Sequence, residues 1–175
     1  MAIREQGTGK KKLDGEGLHV FFREIGQLHK PEEVTFLCIG TDRSTGDALG
    51  PLTGTRLAEY GFPHVIGTLP SPCDADNLTL RVAGIPEEHF VIAIDACLGP
   101  HAAVGYYFVS REPLHPARSV GLVLPAVGHY SLAAVVDVSG PKPYRTLQTT
   151  PLHRVMGMAG VIAAAAADGF GLLLR

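Results

Sequence analysis

The stretch FLCIGTDRSTGDALGP, residues 36–51, decides how the chain is read. Residues 34–39 are apolar and partly β-branched or aromatic, as in a strand covered on both faces. Gly40 breaks that run into a polar loop punctuated by Gly46 and Gly50, and Pro51 has the fixed dihedral that suits the first turn of a helix. Strand, loop and helix in this order predict a βα unit whose helix runs to about Tyr60. A second run, FVIAIDACLG at residues 90–99, predicts another buried strand over residues 90–94, ending in Asp95. In an open α/β sheet, ligands and catalytic groups collect outside the carboxyl ends of the strands. Asp42 and Asp47 from the first stretch and Asp95 from the second are therefore expected at one sheet edge.

Outward from this pair the chain reads as alternating helices and strands. Leu18, Phe21, Phe22, Ile25 and Leu28 recur at helical spacing, and Pro31 stops that helix. Gly61 ends the helix after the loop, and residues 64–69 predict a short strand before the turn at Pro70, Ser71 and Pro72. Asp74 or Asp76 then caps a helix to about Ala83. Residues 104–110 and 132–138 predict two further strands. Residues 149–168 predict one long closing helix, with Thr149 or Thr150 as its cap and Pro151 in its first turn. Residues 1–13 read as a flexible arm and residues 14–175 as a single α/β domain, three-layered, with a mainly parallel sheet of about five strands flanked by helices.

Composition narrows the function. With 175 residues, 46% of them hydrophobic and 18% charged, the chain is large enough for one self-sufficient core. A net charge of −2 leaves no basic footprint for nucleic acid, and the run Lys10, Lys11, Lys12 reads as a solvated tail. Three cysteines with no CxxC spacing argue against a disulfide framework or a zinc knuckle and for a reduced, cytoplasmic setting. Residues 1–12 lack the apolar core of a signal peptide, and the Ala-rich segment 155–167 is too short for a bilayer span of about 20 residues.

Several chemistries compete for the loop. A carboxylate at Asp47, just before a helix, can serve free backbone N–H groups, or it can act on a ligand. Asp95 follows four apolar residues, where an unpaired buried charge is costly, so it requires a partner or a cation. Asp47 and Asp95 together can share a proton and act on a water. The same acids with a neutral imidazole would make a divalent-metal site, for which His129 in LPAVGHYSLAAVVDV is the candidate third ligand, set against its reading as a loop or packing histidine. Phosphate binding by residues 40–46 is disfavoured, because the loop lacks a Walker lysine and carries Asp42 and Asp47. Ser44 and Thr45 sit in no GxSxG elbow and read as loop-shaping hydroxyls, Arg43 is free to contact a substrate carboxylate, and Cys97 reads as a small buried hydrophobe.

GTDRSTGDALGP followed by VIAIDACLG also resembles the YyaC family of sporulation proteins, over about residues 20–168. That family is similar to germination protease and, more distantly, to the hydrogenase-maturation endopeptidases. In those relatives an acid in the loop after the first strand and an Asp ending a later strand form the functional pair, and these positions fall on Asp47 and Asp95. The resemblance implies their fold and a peptidase-like hydrolase acting on a protein or peptide. Asp47 and Asp95 would activate water, with Asp42, Arg43 and Ser44 contacting substrate. No cofactor is required, although a divalent metal is permitted. Neither nucleic acid nor membrane is implied as a partner, and the setting is the cytoplasm or forespore of a spore-forming bacterium. The sequence departs from its relatives twice. His129 stands where the family pattern has an Asp after LPxVG, and PLHPARSVG, residues 113–121, replaces a glycine-rich loop with residues such as Ala117 and Arg118. These departures keep two alternatives open: a non-catalytic regulatory sporulation protein on the same fold, and a metal-dependent hydrolase.

Overall fold

Leu18, Phe21, Phe22 and Ile25 are buried along one face of α1 (Gly15–Leu28), whose first turn is capped by Asp14 accepting from the N–H of Gly17 at 2.8 Å. The computed structural model describes residues 3–4, 9–116 and 123–173. Its strands are β1 (Ile3–Arg4), β2 (Lys11–Leu13), β3 (Val34–Cys38), β4 (Val65–Ile66), β5 (Phe90–Gly99), β6 (Tyr107–Ser110) and β7 (Tyr130–Val138). The remaining helices are α2 (Leu49–Glu59), α3 (Leu78–Ala83), α4 (Pro143–Thr149) and α5 (Leu152–Gly169). No helix among the described residues is long and apolar enough to cross a membrane.

The strands form one mixed sheet in the order β1-β2-β6-β7-β5-β3-β4. The half β7-β5-β3-β4 is parallel, and β6, β2 and β1 extend it with antiparallel pairings. Alternation along the strands supplies two cores. Val34, Phe36 and Cys38 of β3 and Ile92 and Ile94 of β5 pack under α1, α2 and α5. Leu37, Ile39, Val91 and Ala93 face the other way, against Leu78 of α3 and the paired Leu114 and Val127. The larger core is centred on Phe36, which meets Phe22, Phe62 and Phe170, the Phe62 ring edge-on at 4.7 Å. Side chains of this size each stabilise the fold by about 1.5–3 kcal/mol on full burial.

The expected three-layer α/β domain is present, with four differences. Lys11–Leu13 is not part of an arm outside the domain, because it pairs with Tyr107–Val109 of β6 and buries Leu13. With β1 this brings the sheet to seven strands among the described residues, rather than about five, and makes it mixed. β5 continues four residues past Asp95, since β7 lies beside it as far as Gly99. The single closing helix is two helices: Thr150, preceding a proline, is extended (φ −57°, ψ 135°) and separates α4 from α5.

Candidate functional site

The loop between β3 and α2 folds back over the end of β3. Gly40 makes this possible: its φ is 151°, and a Cβ there would overlap the carbonyl oxygen of Asp47. The same closeness recurs where the helix begins, since a Cβ on Gly50 would overlap the carbonyl oxygen of Ile39. The loop is held from outside as well, by the N–H of Gly46 donating to the carbonyl of Leu147 on α4 at 2.7 Å.

Asp47 is half-buried in this loop, and burial pushes its carboxyl above the ordinary value of 3.8. The Ser44 hydroxyl beside it opposes part of that shift, although Ser44 Oγ is buried without a hydrogen bond of good geometry. Asp47 is not a helix cap. The cap position of α2 is Ala48, and no side chain bonds to the first turn there.

Asp95 is 9% exposed and lies within β5 rather than at its end. Its place at an edge comes from its neighbour: β3 pairs with β5 only as far as Cys38 with Ile94, and the N–H of Ile39 donates to the carbonyl of Ile94 at 2.8 Å. On that side Asp95 stands just past the strand, facing the same side of the sheet as Val91 and Ala93. Its Oδ1 accepts from the N–H of Ala96 at 2.8 Å.

Asp47 and Asp95 line one pocket of about 230 Å³ at the carboxyl end of β3. Asp74, Arg43, Tyr144 and Leu147 line it with them. Arg43 Nη2 approaches Asp74 Oδ2 at 3.9 Å across the mouth, a long and solvent-exposed contact that adds little stability. Two carboxyls therefore line one space, and burial raises one of them, so the space can offer a proton donor and a proton acceptor to a bound molecule.

Of the residues expected to bind substrate, Arg43 is in the lining. Asp42 is exposed in the turn and outside it, and the buried Ser44 hydroxyl sits beside Asp47 instead of lining the pocket. The structure corrects the metal-ligand reading of His129 and agrees with its reading as a packing histidine. The register Ile92 with Tyr130 places it at the amino end of β5, where its Nδ1 accepts from the N–H of Val91 at 2.9 Å. Four residues of extended strand, about 13 Å, separate Val91 from Asp95. His129 is thus not brought together with Asp47 and Asp95, and no group of three His, Cys, Asp or Glu among the described residues is arranged to hold a metal ion. Ala117, Arg118 and Gly121 of the altered loop lie outside the described residues. Sequence reasoning missed Asp74 and Tyr144 as pocket residues. Asp74 does not cap α3 as expected, since the cap position is Asn77; its Oδ1 instead accepts from the N–H of Asp76 at 3.0 Å. Tyr144 carries no local signal of proximity to either acid.

A family model described as "Protein of unknown function (DUF1256)" matches residues 11–165. The chain is 44% identical over 135 residues to "Uncharacterized protein YyaC" of Bacillus subtilis (strain 168). The match covers 74% of this chain and 66% of that protein, so the chain spans just under two thirds of that relative's length. The structure is also similar to the crystal structure of a NiFe hydrogenase maturation protease, HycI, from Thermococcus kodakarensis KOD1. That likeness has a TM-score of 0.45 at 16% identity and covers 77% of this chain and 92% of the other.

Proposed function

The chain belongs to the DUF1256 family, and on that premise we propose that it is a peptide-bond hydrolase in which Asp47 and Asp95 act as an acid pair. The ionised carboxyl takes a proton from a water as its oxygen attacks the peptide carbonyl. The protonated carboxyl supplies the proton that the leaving amine needs when the C–N bond breaks. The observation that carries this reading is the convergence of Asp47 and Asp95 on one pocket, with burial holding Asp47 toward its neutral form. Arg43 and Tyr144 at the pocket wall are placed to contact a bound peptide, the guanidinium through carboxylate or carbonyl oxygens. The resemblance to the YyaC family supports a role in sporulation, and three free cysteines support a reducing, cytoplasmic setting.

The departure at residues 113–121 favours one second reading, a regulatory protein that binds peptide through the same pocket without cleaving it. One experiment separates the two. A complex peptide mixture is incubated with the wild-type chain, Asp47→Asn and Asp95→Asn, and new termini are counted by mass spectrometry. The hydrolase reading expects cleavage by the wild type and a loss of about 10²–10⁴-fold in each variant. Cleavage that survives both substitutions, or none by the wild type, overturns it.

A further inference from the structure

Asp95 borders two cavities, not one. On its other side, over the antiparallel half of the sheet, lies a second cavity of about 350 Å³ to which Asp95 and Ala96 also contribute. Strand alternation builds its floor. Leu132, Ala134 and Val136 of β7 belong to the core under α5, which turns Ser131 and Ala133 to the opposite face, level with Asp95. Val109 and Tyr107 of β6 belong to that same core, so Phe108 also points into the cavity.

The far wall carries a cation. Lys10 lines the cavity from one residue ahead of β2, and the pairing of Lys11 with Val109 and Lys12 with Phe108 anchors it. Its charge reaches Cys97 in the same lining and opposes the burial that drives that thiol up to about 12. Glu112 packs beside Gly9 and is not part of the lining. The cavity thus runs from the Asp95 carboxyl, over the apolar Ala133, Phe108 and Leu114, to an ammonium group.

We infer that this second cavity holds the peptide on one side of the bond at Asp95, and that Lys10 selects a carboxylate there. The inference rests on the hydrolase reading only for what lies at Asp95. Three strand steps separate β5 from β2, roughly 14 Å of sheet, part of which the flexible lysine stem spans. The carboxylate therefore belongs about two or three extended residues from the reacting carbonyl. An Asp or Glu side chain supplies that group, and so does the free end of a chain.

The pocket's preference can be read without turnover. The full chain, labelled with nitrogen-15, is titrated with three peptides: acetyl-Ala-Ala-Glu amide, acetyl-Ala-Ala-Gln amide, and acetyl-Ala-Ala-Ala with a free carboxylate. The amide signals of Lys10, Cys97 and Phe108 are followed. A carboxylate peptide is expected to bind about three- to tenfold more tightly than the Gln peptide, the range of a partly exposed charge-assisted contact. The better of the two carboxylate peptides identifies the source, side chain or terminus. Lys10→Glu is expected to abolish the difference, while Lys12→Glu, whose ammonium bonds to the carbonyl of Ala102, preserves it. Binding of both carboxylate peptides no tighter than that of the Gln peptide, a preference that survives Lys10→Glu, or no shift with any peptide overturns the inference. A carboxylate preference at Lys10 without peptide cleavage by the wild type leaves the inference standing and the hydrolase reading refuted.

Discussion

The N–H of Gly46 donates to the carbonyl of Leu147 at 2.7 Å, so the loop that carries Asp47 is fastened to α4, a helix about a hundred residues further along the chain. The fit leaves no room for a side chain. A Cβ on Gly46 would stand 2.8 Å from Leu147 Cδ2 and 3.0 Å from its carbonyl oxygen. Gly46→Ala is therefore expected to push the loop off α4 and displace Asp47. The predicted cost is about 1–3 kcal/mol in stability, read by urea denaturation. Peptide hydrolysis should fall more steeply than stability, and wild-type turnover in this variant would separate the loop from the chemistry.

Asp47 makes stability depend on pH in a definite direction. Its folded carboxyl titrates above 3.8, so between the unfolded and folded values the native chain holds a proton that the unfolded chain has lost. Stability is then greatest below the unfolded value and falls as pH rises through the window above it. Asp47→Asn should abolish that decline and leave the chain at pH 7 as stable as the wild type or more so, by thermal melts from pH 4 to 7. A variant less stable than the wild type at pH 7 would show that the carboxylate has a stabilising partner.

His29 acts with the opposite slope. Burial lowers its imidazole below 6.5, with the neighbouring His129 adding to this and Glu33 opposing it. The ring is held against Phe90, centroids 3.8 Å apart, with Nε2 within hydrogen-bond distance of the Tyr130 hydroxyl at 3.0 Å. Because the unfolded chain takes up a proton before the native one, this contribution is fully present above 6.5 and is lost as pH falls through the folded value. His29→Gln should flatten the change in melting temperature between pH 7.5 and 5.5.

His129 is a strand-end anchor, and its removal should be felt in stability alone. His129→Ala frees the N–H of Val91 from its bond to Nδ1, at an expected cost of about 1–3 kcal/mol if that donor stays buried. Hydrolysis should persist in this variant, and EDTA treatment of the wild type should leave the rate unchanged. Loss of activity on chelation, restored by a divalent metal, would refute the acid-pair chemistry.

Phe36 tests the core beneath the site. It is fully buried among Phe22, Phe62 and Phe170. Phe36→Ala should cost about 3–5 kcal/mol, measured by denaturant unfolding.

The sequence by itself determined the frame of the site. The apolar runs of β3 and β5 are long enough to read as buried strands, the glycines at 40, 46 and 50 mark the loop between β3 and α2, and the amphipathic spacing of α1 matches its buried face except at Leu28, which ends the helix exposed. Those signals are local, and so they survive without knowledge of partners. Tertiary pairing decided the rest. β1 and β2 are two and three residues long, too short for a periodic pattern; β2 exists because β6 offers an edge, and β1 because β2 then offers one. Asp95 lies at an edge because β3 stops beside it, while β7 keeps its own strand running to Gly99. His129 left the site because β-register, which no single strand specifies, pairs its segment with the amino end of β5. Asp74, Tyr144 and Lys10 reached the two cavities through helix packing and strand order, from positions whose immediate neighbours say nothing about Asp47 or Asp95.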